Sequence, residues 1–172
     1  MKILPAHRNF IILNQVIMAT AFNFLFNLGI AWIVYRDVDH IPLLGLGGIA
    51  MDTILTAFML TLFSYYYIVL SVWFTMKMKW LPAIVDYPTG GIVAKMITMP
   101  IVVQGIIFAV CASVLIGLPV IVWFLLAGAV SMPYDSFRWF KSIFGAALSI
   151  IVSAPIALLA LLYFSRRKKL SR

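Results

Sequence analysis

The amino-acid sequence predicts an all-α integral membrane protein, folded as a bundle of four transmembrane helices. Of its 172 residues, 65% are hydrophobic and 10% are charged, and the mean hydropathy is +1.10, which is too apolar for a water-soluble surface. The charged residues fall outside four uncharged runs, at 9–35, 53–76, 96–134 and 142–165. Each run has the roughly 20 residues that a helix needs to cross a bilayer, and in lipid it satisfies its backbone groups by being helical.

The first two runs predict helices at about 10–35 and 49–74. The first run is too long for the apolar core of a signal peptide and no small-residue cleavage site follows it, so we expect this helix to be retained. A turn-rich segment, PLLGLGG, precedes the second helix. The linker at about 77–97 contains too many apolar and aromatic residues to be free, so we expect it to lie along the inner membrane interface.

The third run is longer than one crossing requires and predicts a helix at about 98–126. Gly117 and Pro119 favour a kink there, because proline removes a backbone donor and clashes with the preceding turn. A tilted, straight helix is the alternative. The fourth helix is predicted at about 136–164, with Asp135 or Ser136 as its N-cap. Residues 1–172 therefore form a single transmembrane domain.

The distribution of lysine and arginine predicts that both termini lie in the cytoplasm. Ten of these residues lie at the two termini and in the central linker, whereas the other side has only Arg36, Arg138 and Lys141. Basic residues accumulate in cytoplasmic loops, so this count orients the bundle. The basic C-terminus also suits contact with anionic membrane lipids, although its role in orientation needs no specific partner.

Polar residues at membrane depth form the candidate binding or transport site. On the first helix, amide and small residues recur at every fourth position from Gln15 to Ala31, which keeps them on one gradually winding stripe. The second helix has a comparable face of threonine and serine. The predicted polar seam consists of Gln15, Asn23, Asn27, Asp52, Thr56 and Gln104. The alternative role of the amides is to hydrogen-bond neighbouring helices together.

Asp52 is the one ionisable residue that lies clearly between apolar helical segments. A carboxylate inside a bilayer is costly and usually faces a bundle interior or a water-filled cavity, where Asn23 or Asn27 could bind it. The alternative is structural, because Gly47 and Gly48 can place Asp52 in the first turn of the helix, where a negative charge complements the helix dipole.

Small residues at spacings of four predict close helix packing. They are Gly145, Ser149 and Ser153 on the fourth helix, and Gly105, Ala109 and Ser113 on the third. These faces can pack within one subunit or between two subunits of a homo-oligomer, and the sequence does not separate the two cases.

Several classes of function are disfavoured by the residues present. His7 and His40 lie at helix ends, so they cannot clamp a haem within the bundle, and the lone Cys111 cannot form a metal cluster or an intramolecular disulfide. Asp37, Asp39 and His40 are better interpreted as a solvated turn than as a metal site. We therefore expect no cofactor, no metal and no nucleic-acid partner, and no catalytic residue is assigned.

Six stretches of the chain carry a resemblance to a known group. They are residues 4–8, 27–32, 41–45, 52–53, 56–58 and 137–141. Together they resemble small four-span proteins of the bacterial inner membrane, which are generally left as hypothetical or loosely labelled permeases. The resemblance implies a multi-pass protein of the bacterial inner membrane and supplies neither a substrate nor site residues.

Three functions follow from these features. The first is a small permease or channel for a solute or ion, acting as an oligomer because four helices enclose little space, and it is favoured by the polar seam. The second is a non-catalytic accessory or scaffold protein that binds another membrane protein, with a dry interior and an exposed small-residue face. The third, a lipid-modifying enzyme, would need two convergent catalytic groups, and only Asp52 offers itself.

Overall fold

The protein is mostly helical, and four of its helices are long and apolar enough to cross a membrane. The computed structural model describes residues 3–84 and 90–170, with side chains described as far as residue 168. In chain order the elements are α1 (Pro5–Tyr35), β1 (His40–Pro42), α2 (Ile49–Lys77), α3 (Gly91–Met96), α4 (Ile101–Leu126), β2 (Ser131–Pro133) and α5 (Tyr134–Leu170).

The four predicted spans agree with α1, α2, α4 and α5, and the differences are at their ends. α1 begins earlier than predicted, at Pro5, because proline suits the first turn of a helix, where its missing N–H is not needed. α5 continues past residue 164 through basic residues, which are good helix formers and favour a helix C-terminus. The linker contains a short helix, α3, that was not predicted. Residues 85–89 of the linker lie outside the described residues.

Two of the spanning helices contain π-helical turns, at Phe10–Ile17 in α1 and at Ser113–Gly117 in α4. The second lies just before Pro119, whose ring would clash with the preceding turn of a regular α-helix. The widened turn lets α4 continue through the proline. A kink at Gly117 and Pro119 stays a prediction.

α5 is the central helix of the bundle. It packs along α1 on one side and along α2 on the other, and α4 packs against α2. Sequence neighbours α1 and α2 therefore meet chiefly through α5. The burial reflects this order, since 61% of the most apolar stretch of α5 is buried in the bundle, against 11% for α1.

The bundle has two different ends, which we name from what lies there. At the termini end, the ring of His7 near the start of α1 lies 2.8 Å from the Pro82 carbonyl, and the Ile84 N–H donates to Ser165 near the end of α5. At the ribbon end, β1 and β2 pair antiparallel, with Ile41 opposite Met132.

The ribbon end has its own apolar core, separate from the main core that lies farther along the bundle. We call it the cap, and it consists of Tyr35, Ile41, Leu43, Ile49, Phe124 and Phe137. Ile41 and Phe137 are fully buried. Two further main-chain hydrogen bonds join the segment around β1 to the segment around β2. They run from the Leu43 N–H to the Val130 carbonyl and from the Tyr134 N–H to the Asp39 carbonyl.

Candidate functional site

An ion pair between Asp52 and Lys141 lies beside the cap. The Lys141 ammonium is 2.5 and 2.6 Å from the two carboxylate oxygens of Asp52 and donates a third hydrogen bond, of 3.1 Å, to the Thr56 hydroxyl. The Lys141 side chain is 4% exposed and that of Asp52 is 13% exposed. The lysine thus uses all three of its donors, and each ion neutralises a partner that would be costly to bury alone.

Lys141 is the main correction to the sequence interpretation. It was counted with Arg36 and Arg138 among the residues outside the membrane, but it lies inside α5 and is almost fully buried. Two signals could have found it. Counting back by four from Gly145, Ser149 and Ser153 reaches Lys141, and a carboxylate at membrane depth calls for a basic partner.

Asp52 has both positions that the sequence left as alternatives, but Lys141, and not Asn23 or Asn27, binds its carboxylate. It lies in the first turn of α2, where its charge complements the helix dipole, and its side chain is largely buried against Lys141. The Tyr35 hydroxyl, from the end of α1, donates a long hydrogen bond of 3.3 Å to the same carboxylate. Asp52 therefore joins three helices at this end of the bundle.

Gly48 allows the cap to close over the first turn of α2. A Cβ at this position would lie 2.9 Å from the Pro42 carbonyl oxygen and 3.0 Å from the main chain of Leu44. These are backbone atoms and cannot move aside cheaply. A residue without a side chain is required where β1 and its turn pass over the start of α2.

The predicted amide stripe of α1 lies against the small-residue face of α5. The Asn23 side-chain amide donates to the Ser149 hydroxyl at 3.0 Å. The Asn27 side-chain amide donates to the main-chain carbonyl of Asn23 at 2.8 Å. A Cβ on Gly145 would lie 2.3 Å from the Asn27 amide nitrogen, so the glycine makes room for this side chain. The Ser149 and Ser153 hydroxyls are 3.5 Å apart.

These contacts place the Gly145, Ser149 and Ser153 face within the subunit. The corresponding face of α4 is also used internally, because a Cβ on Gly105 would lie 2.9 Å from the Tyr65 ring. Both small-residue faces therefore join helices of one chain.

Gln15 lies in the π-helical turn of α1 and is fully buried. Its amide nitrogen donates to the Ser71 hydroxyl at 3.0 Å, while its carbonyl oxygen has no hydrogen-bond partner among the described residues. Ser71 also lines a cleft of about 520 Å³ between α1 and α2, together with Asn9, Asn14 and Thr75. The cleft is at the termini end, opposite the ion pair.

Gln104 does not join the other seam residues. Its side-chain oxygen accepts a hydrogen bond of 2.7 Å from the Tyr65 hydroxyl, and its amide donates to the Met99 carbonyl. Neither Tyr65 nor Met99 belongs to the predicted seam. Gln104 belongs to the packing of α4 against α2.

No protein-family model, curated protein or solved structure shows significant similarity to the chain. Its function is therefore argued from the site itself.

Proposed function

We propose that this protein is a small transporter that moves a polar solute or an ion along the interface of α5 with α1 and α2. The observation that carries the proposal is the buried pair of Asp52 and Lys141. Ionisable residues inside transmembrane segments are costly, and they commonly mark the path of a substrate or an ion.

A polar route leads from this pair towards the termini end. It consists of three groups in that order, which are Asp52, Lys141 and Thr56, then Asn27, Asn23, Ser149 and Ser153, and finally Gln15 and Ser71 at the cleft. Among the described residues, hydrogen bonds join the members of each group but not one group to the next. On α5 alone, Ser153 follows Lys141 by twelve positions, which span about 18 Å, more than half of the hydrocarbon thickness of roughly 30 Å. Packing of two helices needs fewer polar groups than this.

The two ends of the route differ in a way that suits alternating access. The pair lies largely buried beside the cap at the ribbon end, while the cleft of about 520 Å³, which Ser71 lines, lies at the termini end. The Gln15 amide nitrogen donates to Ser71, which lines that cleft, and the Gln15 carbonyl oxygen is buried with no hydrogen-bond partner among the described residues. A solute entering there would exchange its water for amide and hydroxyl groups before it reaches the ions.

The ion pair gives this route a gate with defined chemistry. Because each ion is the main partner of the other, parting them is unfavourable until water or a charged solute replaces the lost partner. The pair therefore favours an occluded state at rest and responds to solutes that carry a charge.

The proposal includes the location and assembly of the protein. We place it in the bacterial inner membrane, as the resemblance implies. Both termini are placed in the cytoplasm, because ten basic residues lie on their side of the membrane and two on the other once Lys141 is assigned to the interior. We also propose that it acts as a homo-oligomer, because four helices enclose little space, and that it contacts membrane lipids, because α1 leaves most of its apolar surface outside the bundle.

The test is whether water reaches the middle of the route. Single Ser→Cys variants at Ser71, Ser149 and Ser153 are made with Cys111→Ala, because Cys111 is exposed. Ser113→Cys is the control, since Ser113 is also buried, at 8% exposed against 0% for Ser149 and Ser153, but lies on α4, away from the route. Each variant is treated in proteoliposomes with a small, water-soluble methanethiosulfonate reagent.

We expect fast reaction at residue 71, slower but measurable reaction at residues 149 and 153, and none at residue 113. Reaction at residue 149 requires the route to open, because Ser149 is fully buried in this structure. Equal inertness at residues 149 and 113 would overturn transport and leave the accessory role.

A second variant tests the gate. Asp52→Leu with Lys141→Met replaces the ions by apolar side chains of similar size, a change that buried pairs often tolerate. We expect it to fold and to lose the reaction at residue 149 with reagent that is added from the ribbon end, where the pair lies between the solution and Ser149. The matched control is Arg36→Gln with Asp37→Asn, which removes the exposed ion pair at the same end and should leave the reaction unchanged.

A further inference from the structure

A second cleft, of about 290 Å³, lies between α2 and α5 at the termini end. Its lining residues are Trp73, Met76, Lys77, Lys79, Phe164 and Lys168. The residues are of two kinds, with three lysines in one group and aromatic or apolar side chains in the other. The cleft is separate from the polar route, because it shares none of the route residues.

The position of the cleft matches the headgroup region of a bilayer. Lys77 ends α2, and Phe164 and Lys168 lie in the last turns of α5, where these helices leave the apolar segment. Trp73 lies one turn deeper, and the Lys77 ammonium is 4.8 Å from the centre of its ring. Lysines at the surface with aromatic side chains beneath them resemble the surroundings of a phospholipid headgroup.

Lys79 provides an independent observation. It has a φ of +60°, and it is the only residue other than glycine with a positive φ in the described part of the chain. Its N–H bonds to the Met76 carbonyl, and the Trp80 N–H bonds to the Thr75 carbonyl. This pattern is a Schellman motif, in which the position held by Lys79 usually belongs to glycine.

A lysine at such a position costs about 1 to 2 kcal/mol of backbone strain, which a glycine would avoid. Strained residues of this kind cluster at ligand-binding positions. Lys79 thus places a positive charge at the cleft, although a glycine would make the turn more stable.

We propose that this cleft binds the phosphodiester headgroup of an anionic phospholipid from the leaflet at the termini end. Three lysines supply charge complementarity to the phosphate, while Trp73, Met76 and Phe164 contact the glycerol and the upper acyl chains. The site is distinct from the diffuse attraction of the basic C-terminus, because it depends on particular lysines in a defined cleft. It does not rest on the transport proposal.

The experiment measures the binding of fluorescent phosphatidylglycerol to the full-length protein in neutral detergent micelles. The main variant is Lys79→Gly, which should keep or improve the fold of the turn while removing one charge of the site. The second variant adds Lys77→Gln. The control is Lys95→Gln, which removes an exposed lysine of α3 from the same end of the bundle but outside the cleft.

We expect Lys79→Gly to weaken binding about fivefold and the double variant roughly 25-fold, as each basic residue near a membrane surface contributes about 1 kcal/mol. The melting temperature without lipid should not fall for Lys79→Gly. Affinities equal to that of Lys95→Gln would show diffuse attraction only and overturn the site.

Two further arms identify the ligand. Fluorescent phosphatidylcholine should bind more weakly than phosphatidylglycerol, and millimolar inorganic phosphate should not displace the bound lipid. Equal binding of the two lipids would contradict recognition of net charge. Displacement by inorganic phosphate would assign the cleft to a soluble anion and overturn the lipid proposal.

Discussion

The ribbon end and the termini end of this bundle differ in whether their lysine side chains are buried or exposed. At the ribbon end, Lys141 is buried beside the cap and donates hydrogen bonds to Asp52 and Thr56. At the termini end, Lys77 and Lys79 are exposed beside a cleft. The comparison teaches that position within the bundle, and not residue type, decides whether a lysine is buried in an ion pair or exposed on the surface.

The largest effect that we expect is for Lys141→Met at the ribbon end. The change leaves the Asp52 carboxylate buried without its main partner, and breaking such a pair costs about 3 to 5 kcal/mol. The loss is measured as the shift in thermal unfolding of the protein in detergent.

Adding Asp52→Leu to Lys141→Met should restore most of this stability, because the second change removes the unpaired carboxylate. If Lys141→Met were no worse than the loss of an exposed lysine, the pair would not be buried as described, and the contrast between the two ends would disappear.

A smaller effect is expected for His7→Leu at the termini end. His7 is buried, accepts a hydrogen bond of 3.2 Å from the Leu4 N–H and lies 2.8 Å from the Pro82 carbonyl. Loss of the ring leaves these main-chain groups without partners, at a cost of about 1 to 3 kcal/mol. The same unfolding experiment measures it.

This variant sharpens the comparison, since it tests whether neutral hydrogen bonds hold the termini end while ions hold the ribbon end. Hydrogen exchange at residues 78–84 should rise selectively in His7→Leu. Protection equal to that of the unchanged protein would show that His7 does not anchor this part of the linker.

The smallest effect is expected for Lys95→Gln. Lys95 is exposed on α3, so its removal should change the free energy of unfolding by no more than about 0.5 kcal/mol. A larger loss in the unfolding experiment would mean that the termini end also depends on its lysines for stability.

Much of the fold could be predicted because a bilayer constrains it so strongly. Apolar length alone locates α1, α2, α4 and α5, and a spacing of four residues identifies the inward stripe from Gln15 to Ala31. Local features of this kind need no knowledge of neighbouring helices.

The features that were missed depend on contacts between distant parts of the chain. β1 and β2 are short strands, each ending in a proline, and only their pairing across some ninety residues makes them a ribbon. The same is true of Lys141, whose burial follows from its meeting with Asp52. Gln104 was placed in the seam because it is polar. Its hydrogen bond with Tyr65 of α2 instead assigns it to the packing of α4 against α2.

The separation of Asp52 and Lys141 along the chain has a consequence for biogenesis. Lys141 follows Asp52 by 89 positions, so a ribosome working at about 5 to 20 residues per second delivers the lysine roughly 4 to 18 s after the carboxylate. During that interval the second span must be held at the insertion machinery or in the bilayer without its counter-ion. A chain truncated before the fourth span therefore keeps the Asp52 carboxylate without its lysine partner.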